Sequence, residues 1–275
     1  MNAIAIDCAT GVLFDPFDGR RALEERRLTL VRESNLADDP LRVIKAVRMA
    51  VRYQLSIDEM TAGALRRHAP ELAGVAVERV HDELMAILSE PDLIRGIELM
   101  RLLDLDQVVF GRVLDPTPFR NIAGVAFQSS AALALIHWTS SDAELHGEAR
   151  RWRWSIAEER RVSALVKRAR CLVEGENVAI AVHDLGPELA PSLSPLLVAL
   201  GERPAAAAVD AILRTRGPEI LAMQPLLAGD EIVRLTGLPA GPRIGLARRA
   251  LLEAQLRGEI STPGEAEIFL RSVQS

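Results

Sequence analysis

Three residue classes are scarce in this chain. Aromatics make up 4% of its 275 residues, cysteines number two, and only Lys45 and Lys167 are lysines among 33 Lys plus Arg. With 49% apolar residues and so few aromatics, the composition argues against a β-sandwich and for helices packed through Leu, Ala, Val and Ile. Cys8 and Cys171 lie far apart without metal-type spacing, which predicts reduced, buried thiols in a cytoplasmic protein. Arginine carries nearly all the positive charge; this reads as base composition of the coding DNA, and Arg also suits phosphate contacts. A net charge of −5 excludes a wholly basic nucleic-acid binder, so any RNA contact must use local patches. No basic region followed by an apolar run opens the chain, and no apolar stretch is long enough to span a bilayer. A cytoplasmic protein without a membrane partner is expected. Repeats, low-complexity tracts and a serine or cysteine nucleophile arrangement are also missing.

What remains is mostly helical pattern. Ile4, Ile6 and Cys8 alternate with Ala5 and Asp7, and Ala9-Thr10-Gly11 makes a turn before Val12-Leu13-Phe14, so 4–17 reads as a β-hairpin. A lone hairpin is marginal in water and needs a sheet, yet no later segment reads as a strand. Helices are predicted over 20–30, from Asp39 as cap with Pro40 at the first position, from 56 to 68, over 77–88 and over 91–105. The two prolines of 115–121 predict a linker. Further helices are predicted over 123–138, 143–154, 156–173, 190–200, 204–214, 230–235, 243–257 and 263–273.

The most informative stretch is Asp38-Asp39-Pro40-Leu41-Arg42-Val43-Ile44-Lys45-Ala46-Val47-Arg48. It places two carboxylates at a helix start and an arginine one turn in. A carboxylate beside a guanidinium offers an acceptor next to a donor fork. The pairing edges of cytosine and adenine each show an exocyclic amine donor beside a ring-nitrogen acceptor, which fits that pair. Uracil and guanine present the opposite polarity. Arg42, Lys45, Arg48 and Arg52 recur at helical spacing as a basic stripe, whose bland reading is a solvated face.

This segment resembles the nucleotide-reading motif of class II CCA-adding tRNA nucleotidyltransferases and of bacterial poly(A) polymerases: an acidic pair, two residues, Arg, two residues, Arg. Asp38 stands for Glu and Lys45 for Arg, the latter exchanging a planar fork for a point charge. Asn2-Ala3-Ile4-Ala5 resembles the tail of the Arg-Arg-Asp-x-Thr-x-Asn-Ala motif, and Asp15-Pro16-Phe17-Asp18-Gly19 resembles Asp-Pro-Phe-Gly-Gly. Val77-Glu78-Arg79-Val80 with Glu83-Leu84 resembles the neck helix. Gly229-Asp230, Gly241-Pro242-Arg243-Ile244-Gly245 and Gly258-Glu259-Ile260 resemble the end of the tail.

The resemblance implies a mainly α fold behind a small β-hairpin remnant of a polymerase-β-like head: 1–30 as head remnant, 31–114 as neck, nucleotide-reading and RNA-binding helices, 115–275 as body and tail. It implies transfer of CMP or AMP from CTP or ATP to an RNA 3′ end, tRNA foremost, with Mg²⁺. Asp38, Asp39, Arg42 and Lys45 become the nucleotide-binding residues. The family holds its two metal ions on an i, i+2 carboxylate pair on a strand. This sequence offers only Asp104-Leu105-Asp106, at a helix end, so neither catalytic nor metal-binding residues are assigned and the chain is expected to be inactive alone. The head would come from a start site upstream or from a separate chain. The alternative is a non-catalytic tRNA- or protein-binding helical module derived from such an enzyme.

Arg150, Arg151, Arg153, Arg160, Arg161 and Lys167, with Arg168, Arg170 and the interleaved Trp152 and Trp154, form a candidate RNA backbone surface. The competing reading is a helix pair with exposed arginines and buried tryptophans. His183-Asp184 resembles the centre of a metal-dependent phosphohydrolase signature but lacks further ligands in pattern; an ordinary His beside a helix-terminal Asp is the expectation.

Overall fold

A computed structural model describes residues 3–125, 127–239 and 241–273, so Asn2 of the Asn-Ala motif lies outside the described residues. The fold is mainly α. Two compact units divide the chain, residues 1–163 and 164–275.

The first unit opens with strands β1 (Ala5–Ile6) and β2 (Leu13–Phe14), an antiparallel hairpin pairing Ala5 with Phe14 and Ile6 with Leu13. Asp7 caps its turn, accepting hydrogen bonds from the Ala9 and Thr10 amides. Ile6, Val12 and Phe14 are each more than 60% exposed, so the hairpin buries little of its apolar surface. Helix α1 (Gly19–Glu24) follows, with both Asp15 oxygens accepting from the Gly19 and Arg20 amides. It is shorter than predicted. Arg26 turns into the left-handed region at φ 48°, and Arg27–Leu28 forms strand β3.

Helices α2 (Ser34–Asp38) and α3 (Leu41–Arg52) come next, then strand β4 (Ser56–Ile57) and α4 (Glu59–His68). Strand β4 pairs in parallel with β3, Arg27 opposite Ser56 and Leu28 opposite Ile57. This corrects the expectation that no later segment forms a strand. Two-residue strands are too short to show an alternating pattern, and Arg27 sits in a run of charge. Helix α4 starts later than predicted because Ser56–Ile57 is extended and Asp58 caps it, accepting from the Thr61 amide.

Helices α5 (Val77–Leu88) and α6 (Leu93–Leu102) pack on α3, whose Val43, Ile44, Val47 and Ala50 are fully buried. Each of the larger side chains contributes about 1.5–3 kcal/mol by burial. Gly96 permits the close approach of α5 and α6: a Cβ there would meet Ile87 Cγ2 at 2.8 Å. Asp104, at φ 56°, breaks the helix predicted to run to 105 and starts α7 (Leu105–Phe110). The predicted linker holds a one-turn helix, α8 (Thr117–Arg120); α9 (Ser129–Ile136) and α10 (Asp142–Arg151) complete this part. His137 is buried, edge-on to Phe110 and Trp154.

Helix α11 (Ile156–Val173) carries the unit boundary. The second unit continues with α12 (Val178–Ala199), α13 (Arg203–Thr215), α14 (Gly217–Ala222), α15 (Gly229–Thr236), α16 (Pro242–Arg257) and α17 (Pro263–Val273). Helix α12 begins twelve residues before the predicted start at 190. Gly186, at φ 67°, and Pro187 break it into two segments, which hides its length from a periodicity search. Leu227, Ile232, Ile244, Leu251 and Leu270 form the core of α15 to α17. Two further expectations are corrected: Cys8 is exposed because the hairpin around it is exposed, and Cys171 is half-buried. Among the described residues, no helix is long and apolar enough to cross a membrane.

Candidate nucleotide-reading site

Asp39 is not the helix cap predicted for it. It is the C-terminal cap of α2, at φ −147° and ψ 87°, and Pro40 then leads directly into α3. The Asp39 amide donates to the Asn35 carbonyl and its carbonyl accepts from the Arg42 amide. A carboxylate held in this short junction therefore faces a guanidinium one turn along the next helix.

Arg42 Nε lies 3.8 Å from Asp39 Oδ2. Arg79, from the first turn of α5, places Nη2 3.6 Å from Asp39 Oδ1. Both separations exceed hydrogen-bond length. The carboxylate keeps its acceptor sites and Arg42 keeps its donors, while charge holds the groups together. Asp39 is 35% exposed and Arg42 50%, so a ligand can reach the pair.

Arg42 and Lys45 line a cavity of about 380 Å³ between α3 and the segment from Phe17 to Leu36. Its other walls include Phe17, Leu28, Leu30 and Met49. Apolar walls with cations on one side suit a flat aromatic base attached to a charged group. Neither Asp38, the exposed last residue of α2, nor Asp39 is part of the cavity wall. The predicted basic stripe divides. Arg48 turns to Glu83 of α5, with Nε 2.6 Å from Oε2, and both side chains are 15% exposed. The Glu83 hydrogen bond raises the Arg48 pKa, burial opposes it, and the charge of Glu83 adds to the rise. Arg52 is exposed.

The carboxylates of the hairpin region do not fit a magnesium pair. Asp7 and Asp15 are committed to backbone amides. Asp106 of the lone Asp-x-Asp is 1% exposed and accepts from the Gln107 and Leu114 amides, so it braces a turn. His183-Asp184 lies in the last turn of the first segment of α12, just before the break at Gly186, as expected of a helix-terminal Asp. Both Asp184 oxygens are taken by Arg249, at 2.5 and 2.8 Å, and Arg168 adds a contact at 2.8 Å.

Of the candidate RNA residues, Arg150, Arg151, Arg153, Arg160, Arg161 and Lys167 are exposed. Arg151 stacks over Trp152 at 5.1 Å, and Arg153 pairs with Glu78. Trp152 and Trp154 are buried, and Arg168 belongs to the Asp184 cluster instead of the surface. Arg79 was missed as part of the site by sequence reasoning. No local spacing links it to Asp39; only the packing of α5 on α3 brings them together.

Residues 54–115 match a family model described as a probable RNA and SrmB-binding site of polymerase A. The A-adding tRNA nucleotidyltransferase of Deinococcus radiodurans is 32% identical over 98% of this chain and 76% of that protein. The chain belongs to the tRNA nucleotidyltransferase family. A CC-adding tRNA nucleotidyltransferase of Thermus thermophilus is 30% identical, over 90% of this chain and 70% of that enzyme. The family fold is also seen in the Bacillus stearothermophilus CCA-adding enzyme in complex with CTP, at TM-score 0.78, 22% identity and 99% coverage of this chain. That alignment spans 71% of the Bacillus chain.

Proposed function

We propose that this chain supplies the base-reading and RNA-holding parts of a tRNA nucleotidyltransferase. Asp39 accepts from the exocyclic amine of CTP or ATP, and Arg42 donates to the adjacent ring nitrogen. Lys45 adds a cation at the cavity wall, and Asp38 adds negative charge at the junction. A keto group at the Asp39 position, as in UTP or GTP, sets acceptor against acceptor. The observation that carries this reading is the Asp39–Arg42 pair, adjacent but not closed on itself, with Arg42 on the wall of a cavity of about 380 Å³. A good bidentate base contact is worth about 1–3 kcal/mol of discrimination.

Arg150, Arg151, Arg153, Arg160, Arg161 and Lys167 bind the phosphate backbone of the acceptor RNA, tRNA by the names of the relatives. The chemistry magnesium would supply in such a transfer is activation of the RNA 3′-hydroxyl and stabilisation of the pyrophosphate leaving group. Asp7, Asp15 and Asp106 are taken up by backbone amides and do not fit that role, so the transfer step is assigned to a catalytic head that docks on the exposed hairpin. On this reading residues 1–30 belong with the head, 31–114 read the nucleotide, and 115–275 form body and tail.

The test is incorporation of CTP and ATP onto tRNA lacking CCA. The purified chain should bind the tRNA and add nothing. Robust incorporation would overturn the assignment of catalysis to another segment, and failure to bind tRNA would overturn the RNA-holding role.

A further inference from the structure

We infer that Arg79 is a positioning residue for base choice, keeping Asp39 from closing on Arg42. This rests on the template reading given above. The χ2 torsion of aspartate is soft and roughly two-fold. A carboxylate with one cationic neighbour therefore swings toward it, and Arg–carboxylate pairs favour the bidentate, hydrogen-bonded form. Such closure between Asp39 and Arg42 would consume the acceptor and donor that a base needs.

The geometry opposes that closure. Arg79 Nη2 stands 3.6 Å from Oδ1 and Arg42 Nε 3.8 Å from Oδ2, so each oxygen faces its own cation. Neither cation is close enough to hydrogen bond. The two pulls act on opposite oxygens of one carboxylate.

Arg79 is well placed to hold this balance because its helix is fixed to the template helix. Val80 and Leu84, on either side of the next turn of α5, are buried. Glu83 grips Arg48 of α3 at 2.6 Å. The neighbouring Glu78 is occupied by Arg153, which leaves Asp39 as the ion-pair partner of Arg79 among the described residues.

The experiment compares CTP and UTP binding to the full chain by saturation-transfer NMR at millimolar nucleotide, for wild type, Arg79→Gln and Arg79→Lys. Wild type should prefer CTP. Arg79→Gln should lower the CTP-to-UTP affinity ratio about tenfold, mainly by weakening CTP. Arg79→Lys, which retains a cation, should keep most of the ratio. The melting temperature should move by less than about 2 °C in both variants, because the pair is exposed. A merely structural Arg79 would shift the melting temperature and leave the ratio alone. An unchanged ratio in Arg79→Gln, or a ratio lost equally in Arg79→Lys, overturns the inference and leaves the template standing. A wild-type ratio of one, or no binding of either nucleotide, overturns the template and this inference together.

Discussion

The Asp39 and Asp184 clusters use the same chemistry to opposite ends. Each sets one aspartate between two arginines. At Asp184 the contacts are 2.5 to 2.8 Å and the carboxylate is 14% exposed. Glu176 and Glu253 complete the pairing of Arg168 and Arg249 at 2.5 and 2.6 Å. At Asp39 the contacts are 3.6 and 3.8 Å and the carboxylate is 35% exposed. The closed cluster has spent its hydrogen-bonding capacity on holding α11, α12 and α16. The open cluster has kept its capacity for something outside the chain. On the proposed reading, satisfaction and not residue type separates structure from recognition.

The largest expected effect falls on the closed cluster. Asp184→Ala removes the carboxylate that Arg168 and Arg249 share in a half-buried site, leaving each with a single glutamate, and should cost about 4 kcal/mol of stability, read by urea unfolding. CTP and UTP binding should not change. Burial raises the Asp184 pKa, but the hydrogen bond from Arg249 and the charges of Arg168 and Arg249 outweigh it, leaving the pKa below the usual range. The stability from this shift is present above the ordinary aspartate pKa and is lost as pH falls through the lower folded value.

Acid should also act at His137. Burial, aided by the charge of Arg112, pushes its pKa from 6.5 down to about 4. The fold thus favours the neutral ring. That preference is complete above the ordinary pKa and is lost as pH falls toward about 4, an effect of about 3 kcal/mol. His137→Leu should flatten the pH dependence of unfolding between those values. An unaltered slope would show that the ring is charged or solvated in the folded chain.

The smallest stability effect belongs to the open cluster. Asp39→Asn should alter unfolding by less than about 0.5 kcal/mol, since exposed pairs contribute little. It should nevertheless reduce the preference for CTP over UTP, because an amide can present a donor as well as an acceptor. A loss of stability comparable to that of Asp184→Ala would erase the distinction between the clusters.

Much of the helical framework was legible because its signals are local. Helices α5 and α11 run from Val77 to Leu88 and from Ile156 to Val173, the spans predicted by apolar periodicity. The buried face of α3 followed from Leu41, Ile44, Val47 and Val51. What escaped was short or nonlocal. Strands β3 and β4 are two residues each, α7 is six residues long, and α12 is broken at Gly186. Motif resemblance picked out Asp39 and Arg42, but not that Asp39 ends one helix before Arg42 joins the next, nor that Arg79 approaches from α5. The helix-end position of Asp184, just before the Gly186 break, was legible, but its pairing with Arg168 and Arg249 from other helices was not.

The central claim is that Asp39 and Arg42 form an open template for bases with a donor beside an acceptor. Competition dialysis of CTP, ATP, UTP and GTP against wild type and Arg42→Ala tests it most directly. The account predicts that wild type favours CTP and ATP over UTP and GTP by about 1–3 kcal/mol, and that Arg42→Ala removes the preference while the chain stays folded. Equal binding of all four nucleotides to wild type, or a preference that survives Arg42→Ala, would contradict it.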